Sequence, residues 1–238
     1  MKNFILFLLM SISFSNYGQG TLDQFFHRSN AFFQAHVKEG RVDYQNIKRN
    51  TTDLKEILNL AKEVRVGVEN PKEYKSFWIN TYNLLVIAGI VENYPVKSPL
   101  DINGFFDETI HEVGGQKRTL NEIENVLLRA KFPNEPRFHF VLVCAGLGCP
   151  PIIANAYTPQ NLEQQLQKQT ERALNDEAFI RINKNKVKIS QIFEWYTEDF
   201  TRDGQTLQGF IDSYRTEKLP KNAKLSYYPY DWTLNKTN

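Results

Sequence analysis

The chain is poor in cysteine, in net charge and in linker-like sequence. Two cysteines among 238 residues are too few for a disulfide scaffold. The formal net charge of +2 leaves the chain neither strongly basic nor strongly acidic, so we expect no nucleic-acid partner. No Pro-, Gly- or Ser-rich linker and no internal repeat divides the chain, which favours one domain over residues 19–238.

The N-terminal apolar run, Phe4–Met10, is too short for a transmembrane helix, which needs about 20 residues. It follows Lys2 and precedes small and polar residues, which is the layout of a secretory signal peptide. We therefore predict a signal peptide over residues 1–18, against the alternative of a buried N-terminal strand or helix. The mature protein would then be exported, to the periplasm or outside the cell, without a transmembrane segment.

The apolar pattern predicts an α+β fold, a helix-rich single domain packed on a small, mainly antiparallel sheet. Aromatic residues make up 13 % of the chain, which is enough for a large core. Apolar residues at helical spacing predict helices over Leu22–Lys38 and Asp53–Val64. Asn70 and Pro71 are typical of a helix start, and a third helix should run from there to just before Pro95.

The second half of the chain has turn and capping signals. Glycine and asparagine turns predict hairpins at residues 108–118 and 178–190. The pattern Thr119-x-x-Glu122 is a capping box, which gives Glu122 a structural role at a helix start. Glu124 lies two residues further on and has no such role, so its carboxylate is a candidate for chemistry.

The third predicted helix is apolar nearly all round, so it should be buried nearly all round. Asn80 and Asn83 lie in this stretch three residues apart and therefore on one face. A buried amide without a hydrogen-bond partner costs about 1–3 kcal/mol. Each side chain should therefore either brace a neighbouring loop or face a substrate, and both are candidate substrate-binding residues.

The segment RFHFVLVCAGLGCPPI, Arg137–Ile152, contains both cysteines. Its first half is apolar and rich in β-branched residues, which predicts a buried strand carrying His139 and Cys144. The glycines of the AGLG loop would let the backbone approach a substrate closely. The two prolines that follow Cys149 predict that a helix begins there.

Cys149 is the candidate nucleophile of this segment. A helix N-terminus favours a thiolate and offers backbone N–H groups to a developing oxyanion. A cysteine nucleophile needs a base, and the base needs an orienting group. His139 and Glu124 are the nearest candidates along the chain, so the residues favour a Cys149–His139–Glu124 site that needs no metal and no cofactor.

The same residues have other interpretations. In an exported protein, Cys144 and Cys149 are suited to a disulfide across a short loop. A zinc site built from His139 and the two cysteines would need a fourth ligand and lacks the usual ligand spacing. His139 in an apolar segment is also typical of a core histidine with satisfied ring nitrogens.

Six segments together carry a resemblance to a known family. They are VDY (Val42–Tyr44), FWINTYN (Phe77–Asn83), LNEIENVLLR (Leu120–Arg129), PRFHFVLVCAGLGCPPI (Pro136–Ile152), ISQIFEWYTEDF (Ile189–Phe200) and YYPYDWTLN (Tyr227–Asn235). In this order the chain resembles the family called domain of unknown function 547, over nearly all of residues 19–238. The resemblance implies a fold like the papain-like and transglutaminase-like cysteine hydrolases, with a permuted Glu–His–Cys arrangement at Glu124, His139 and Cys149.

We therefore expect an exported cysteine hydrolase or acyl transferase that acts on a peptide or other amide bond through Cys149, His139 and Glu124. The alternative is a secreted binding or structural module without catalysis, whose Cys144 and Cys149 form a disulfide. The sequence assigns neither a particular amide substrate nor an oligomeric state.

Overall fold

The computed structural model describes residues 20–237, so the predicted signal peptide over residues 1–18 lies outside the described residues. The described part is helix-rich α+β, as predicted. Its α-helices are α1 (residues 20–36), α2 (Tyr44–Arg49), α3 (Thr52–Glu63), α4 (Pro71–Asn93), α5 (Leu120–Glu122), α6 (Leu162–Asn175), α7 (Ile192–Trp195), α8 (Thr197–Phe200) and α9 (Leu207–Tyr214). Three 3₁₀ helices lie at Pro99–Asp101, Pro136–Phe140 and Arg202–Gly204, and a π-helix continues α5 over Ile123–Arg129.

Helix α4 is the centre of the larger of two apolar clusters. Buried side chains occupy every face of the helix between Tyr74 and Val91, because its apolar pattern leaves no polar face for solvent. The predicted start is confirmed, with Asn70 before the helix and Pro71 at its first position, and the helix ends at Asn93. Helices α1, α2 and α3 contribute further side chains to the same cluster.

The strands form three small sheets. They are β1 (Val37–Lys38) with β2 (Arg41–Val42), β3 (His111–Val113) with β4 (Gln116–Arg118), and β5 (Ile180–Asn183), β6 (Lys186–Ser190) and β7 (Lys224–Tyr228) in that order. The first two sheets and the β5–β6 pair are antiparallel, and both predicted hairpins are confirmed. Strand β7 pairs with β6 in parallel, which directs the segment after β7 back toward the cysteine loop.

The second apolar cluster packs four phenylalanines from different elements against the three-stranded sheet. They are Phe140, Phe193, Phe200 and Phe210. Cys149 is packed against this cluster and against the larger one. The loop that carries the cysteine therefore lies where the two clusters meet.

The predicted strand at Arg137–Cys144 is wrong. Pro136–Phe140 is a 3₁₀ helix, and the residues after it are irregular. The backbone of this segment forms hydrogen bonds with the buried side-chain amide of Asn83 instead of with a neighbouring strand. Its Nδ2 donates to the carbonyl oxygen of Val141 at 3.0 Å, and its Oδ1 accepts from the N–H of Val143 at 2.9 Å.

The helix predicted to begin at Cys149 is also absent, since the chain forms no helix between residue 149 and α6. Two consecutive prolines explain this, because a residue that precedes proline is disfavoured in the helical conformation. Cys149 and Pro150 are both in that position. Cys149 therefore has no helix dipole behind it, and any activation of its sulfur must come from neighbouring side chains and backbone groups.

Candidate functional site

A cleft of about 310 Å³ collects the chemically interesting side chains predicted from the sequence. Glu124 enters it from the π-helix, His139 from the 3₁₀ helix Pro136–Phe140, and Cys144 and Cys149 from the loop that follows. Aromatic side chains of α7 and of the C-terminal segment complete the wall. The structure thus brings all three predicted catalytic residues to one cleft.

The two cysteines are joined as a disulfide, with 6.5 Å between their Cα atoms, which is within the usual range. This is the pairing that the sequence left open as the alternative to a free Cys149 thiol. The sulfur of Cys149 accepts a hydrogen bond from the backbone N–H of Cys144 at 3.0 Å. The hydroxyl of Tyr230 lies 2.9 Å from each of the two sulfurs.

The C-terminal segment holds the cysteine loop from outside. The N–H groups of Leu147 and Gly148 donate to the carbonyl oxygens of Thr233 and Asp231 at 2.8 and 2.7 Å. A Cβ at Gly148 would lie 2.9 Å from the backbone nitrogen of Asp231, so this contact requires glycine. The sequence predicts that a substrate approaches the loop backbone closely. At Gly148 the chain's own C-terminal segment occupies that place.

His139 is held firmly in the cleft wall. Its side chain is 3 % exposed, and its Nε2 lies 2.8 Å from Oδ2 of Asp199. The imidazole stacks on the ring of Tyr196, with 4.1 Å between centroids, and contacts Phe200 at 5.1 Å. A ring fixed in this way, with a carboxylate on one nitrogen, has the environment of an oriented general base.

Asp199 is the carboxylate that contacts His139, and the sequence analysis assigned it no role. It lies in α8, 60 residues after His139, and its Oδ2 also accepts from Nε of Arg129 at 2.7 Å. Burial raises the pKa of Asp199, but the hydrogen bonds from His139 and Arg129 outweigh burial and hold the pKa below its usual range. Asp199 is therefore ionised at neutral pH. The one sequence signal that could have pointed to Asp199 is its place directly before Phe200, an apolar residue that is buried.

Glu124 lines the cleft, and its hydrogen bonds are with two tyrosine hydroxyls. Its carboxylate accepts from the hydroxyls of Tyr82 at 3.3 Å and Tyr196 at 2.9 Å. Burial, and then the nearby Glu124 charge, raise the pKa of both tyrosines, so both hydroxyls remain donors at neutral pH. Glu124 is the second residue of the π-helix that follows the capped start of α5. A π-helix has a wider turn than an α-helix, which changes the direction of the side chains that follow the start.

Glu122 keeps the structural role predicted for it. Its carboxylate accepts from the N–H of Thr119 at 3.0 Å, and its own N–H donates to the Thr119 hydroxyl at 3.1 Å. The capping box is therefore confirmed. Two glutamates only two residues apart therefore have separate surroundings, one at the helix start and one in the cleft.

Asn80 and Asn83 brace backbone, and neither of them lines the cleft. Asn80 is fully buried and exchanges hydrogen bonds with the backbone of Tyr157, at 2.7 Å to its carbonyl oxygen and 3.0 Å from its N–H. Asn83 does the same for the segment after the 3₁₀ helix. Their amides are satisfied within the protein, which is the bracing role that the sequence analysis gave as one of two alternatives.

Between residues 20 and 237, no three His, Cys, Asp or Glu side chains are grouped so that they could hold a metal ion. Among the helices in the same range, none combines the length and the apolar character that crossing a membrane requires.

Residues 68–174 match the family described as "Protein of unknown function, DUF547". These residues are a DUF547 family domain. The match confirms the family resemblance expected from the sequence. The DUF547 domain runs from the start of α4 into the last turn of α6 and contains Glu124, His139 and both cysteines, whereas Asp199 lies beyond it. No curated protein and no solved structure matches the chain.

Proposed function

We propose that the protein is an exported cysteine hydrolase or acyl transferase for a peptide or other amide bond, and that it becomes active when the Cys144–Cys149 disulfide is reduced. Cys149 is the nucleophile, His139 is the base and Asp199 orients the imidazole. The observation that carries this proposal is that Cys149 and His139 line one cleft while His139 is held by a partly buried carboxylate. Asp199 takes the role that the sequence analysis gave to Glu124.

Activation requires a reductant that the protein does not itself supply. A dithiol reductant attacks the disulfide, becomes a disulfide itself, and leaves two thiols in the protein. The Cys149 thiol then passes its proton to His139, and the thiolate attacks the substrate carbonyl carbon to form a thioester. The leaving amine takes the proton from His139. Water or an amine releases the acyl group from the thioester and restores the thiol.

The surroundings of the Cys149 sulfur support a thiolate without a helix dipole. The Cys144 N–H donates to it, and the Tyr230 hydroxyl is within 2.9 Å. Hydrogen bonds to a charged form favour that form and lower the pKa of an acid. Burial raises the pKa of Tyr230 well above its usual value, so its hydroxyl remains a donor at neutral pH.

Two further inferences belong to this proposal. The family resemblance, together with a cysteine, a histidine and a carboxylate at one cleft, supports kinship with the papain-like and transglutaminase-like cysteine hydrolases. The signal-like segment and the disulfide support export to the periplasm or the outside, because disulfides persist in oxidising compartments.

A second candidate function is favoured by the disulfide itself. While Cys144 and Cys149 are joined, no thiolate is available, and the cleft can bind a ligand but cannot form an acyl-enzyme. The protein would then be a secreted binding or structural module. The two candidates differ in what reduction does, and this difference can be measured directly.

Reduced protein should be acetylated on Cys149 by p-nitrophenyl acetate, with a burst of nitrophenolate, whereas unreduced protein should show no burst. The physical reason is that only the reduced form offers a thiolate in the cleft that His139 also lines. Intact mass and peptide mapping after rapid acid quench identify the acetylated residue.

The matched controls are Cys149→Ser and Cys144→Ser. The first should show no burst under either condition. The second cannot form the disulfide and should be acetylated on Cys149 without any reductant. Acetylation of Cys144 instead of Cys149, or equal bursts from reduced protein and from Cys149→Ser, would leave the binding module as the better account.

A further inference from the structure

The wall of the cleft is rich in aromatic side chains. Six of its lining side chains are Tyr82, Phe106, Trp195, Tyr196, Tyr230 and Trp232. Trp195 and Trp232 are stacked, with 6.2 Å between centroids and 25° between planes, and Tyr230 packs against both. Trp195 is 47 % exposed, which is unusual for so large an apolar side chain. These rings offer a surface to an apolar chain or to a cation, which is attracted to aromatic faces.

Glu124 is the carboxylate of this aromatic cleft, and among the described residues it has no ion-pair partner. No Lys or Arg lines the cleft, and Glu124 forms no ion pair with any residue between 20 and 237. Arg129 lies nearby, but its guanidinium is bonded to Asp199 and Asn125 and lies over the Tyr196 ring. The Glu124 carboxylate therefore has room for an ion-pair partner that a ligand could supply.

The acceptor capacity of Glu124 is only partly used. A carboxylate has about four lone-pair sites, and the hydroxyls of Tyr82 and Tyr196 occupy two of them. Glu124 is neither fully buried nor fully exposed, so a ligand in the cleft can reach it. An ammonium group has three donors and one positive charge, which matches both the free acceptor sites and the missing cation.

The geometry points to a substrate that carries a primary ammonium on an alkyl stem, as a lysine side chain does, with the ammonium at Glu124 and the stem along Trp195 and Trp232. As a statement about substrate class this rests on the proposed function, whereas the binding site itself does not. Glu124 is a specificity-determining residue in this account, and the aromatic rings contribute cation–π attraction and apolar contact to the same group.

Nα-acetyl-lysine-N-methylamide and its neutral isostere Nα-acetyl-norleucine-N-methylamide separate charge recognition from apolar contact. Titrated into unreduced mature protein and followed by tryptophan fluorescence, the lysine probe should bind about tenfold more tightly. Glu124→Gln should bind the two probes with about equal affinity, because the glutamine amide can still accept the tyrosine hydrogen bonds but carries no charge. The matched control, Glu122→Gln, should keep the full preference.

Equal affinity of the two probes in the unsubstituted protein would overturn the inference and describe a purely apolar cleft. Binding of neither probe, or a lysine preference that survives in a folded Glu124→Gln variant, would overturn it as well. The measurement involves no turnover and uses the disulfide form. A failure of the acyl-transfer proposal would therefore leave the lysine preference in place, and a failure here would leave the acetylation of Cys149 in place.

Discussion

Replacing His139 with alanine should slow alkylation of Cys149 about tenfold near neutral pH in the reduced protein. Without the imidazole the Cys149 proton has no acceptor, so the thiol should titrate closer to the ordinary value of about 8.5. The pH profile of the rate should shift upward for the same reason. Iodoacetamide labelling of each cysteine, quantified by peptide mass spectrometry across a pH series, gives both results.

His27→Ala is the matched control for the His139 experiment, because His27 is exposed on α1 and outside the cleft. It should leave the alkylation profile of Cys149 unchanged. The loss in His139→Ala must occur in folded protein, which near-ultraviolet circular dichroism verifies. If a folded His139→Ala variant has the same profile as the parent protein, His139 is a core residue and takes no part in activating the sulfur.

Asp199→Asn should lower the free energy of unfolding by about 1–3 kcal/mol at pH 7, because His139 and Arg129 lose a partly buried charged acceptor. The pKa of Asp199 is held below its unfolded value of about 3.9. Its contribution to stability is therefore fully present above that value and is lost as the pH falls toward the folded pKa. The difference between Asp199→Asn and the parent protein should shrink as the pH falls below about 4.

Urea unfolding at a series of pH values measures this difference. Asp203→Asn is the control, since Asp203 is an exposed aspartate in the 3₁₀ turn that follows α8. It should change the free energy of unfolding by less than about 0.5 kcal/mol. A constant difference between Asp199→Asn and the parent protein from pH 7 to pH 3 would contradict the assigned ionisation of Asp199.

The elements with local signals could be predicted from the sequence. Helix α4 follows from a proline start and an apolar pattern, and the hairpin turns follow from glycine and asparagine. The capping box of Thr119 and Glu122 was visible because its residues lie three apart. In each case the information lies within a few residues of the element that it determines.

The features that were missed depend on contacts between distant residues. The segment after Phe140 has the composition of a strand, but Asn83, almost 60 residues earlier, takes its backbone hydrogen bonds. Asp199 reaches His139 only because α8 packs beside the 3₁₀ helix. Distance along the chain drew attention to Glu124, and it carries no information about a carboxylate 60 residues away. The sequence also could not choose between a thiol and a disulfide at Cys149.

The central claim is that Cys149, freed from Cys144, is an activated nucleophile in the cleft. The most direct test is the pH dependence of Cys149 alkylation in Cys144→Ser, which needs no reductant and keeps the backbone N–H that donates to the Cys149 sulfur. The account predicts a half-maximal rate clearly below pH 8.5, the value of an ordinary thiol. A midpoint at or above about 8.5, as expected of a cysteine merely buried among apolar residues, would contradict it.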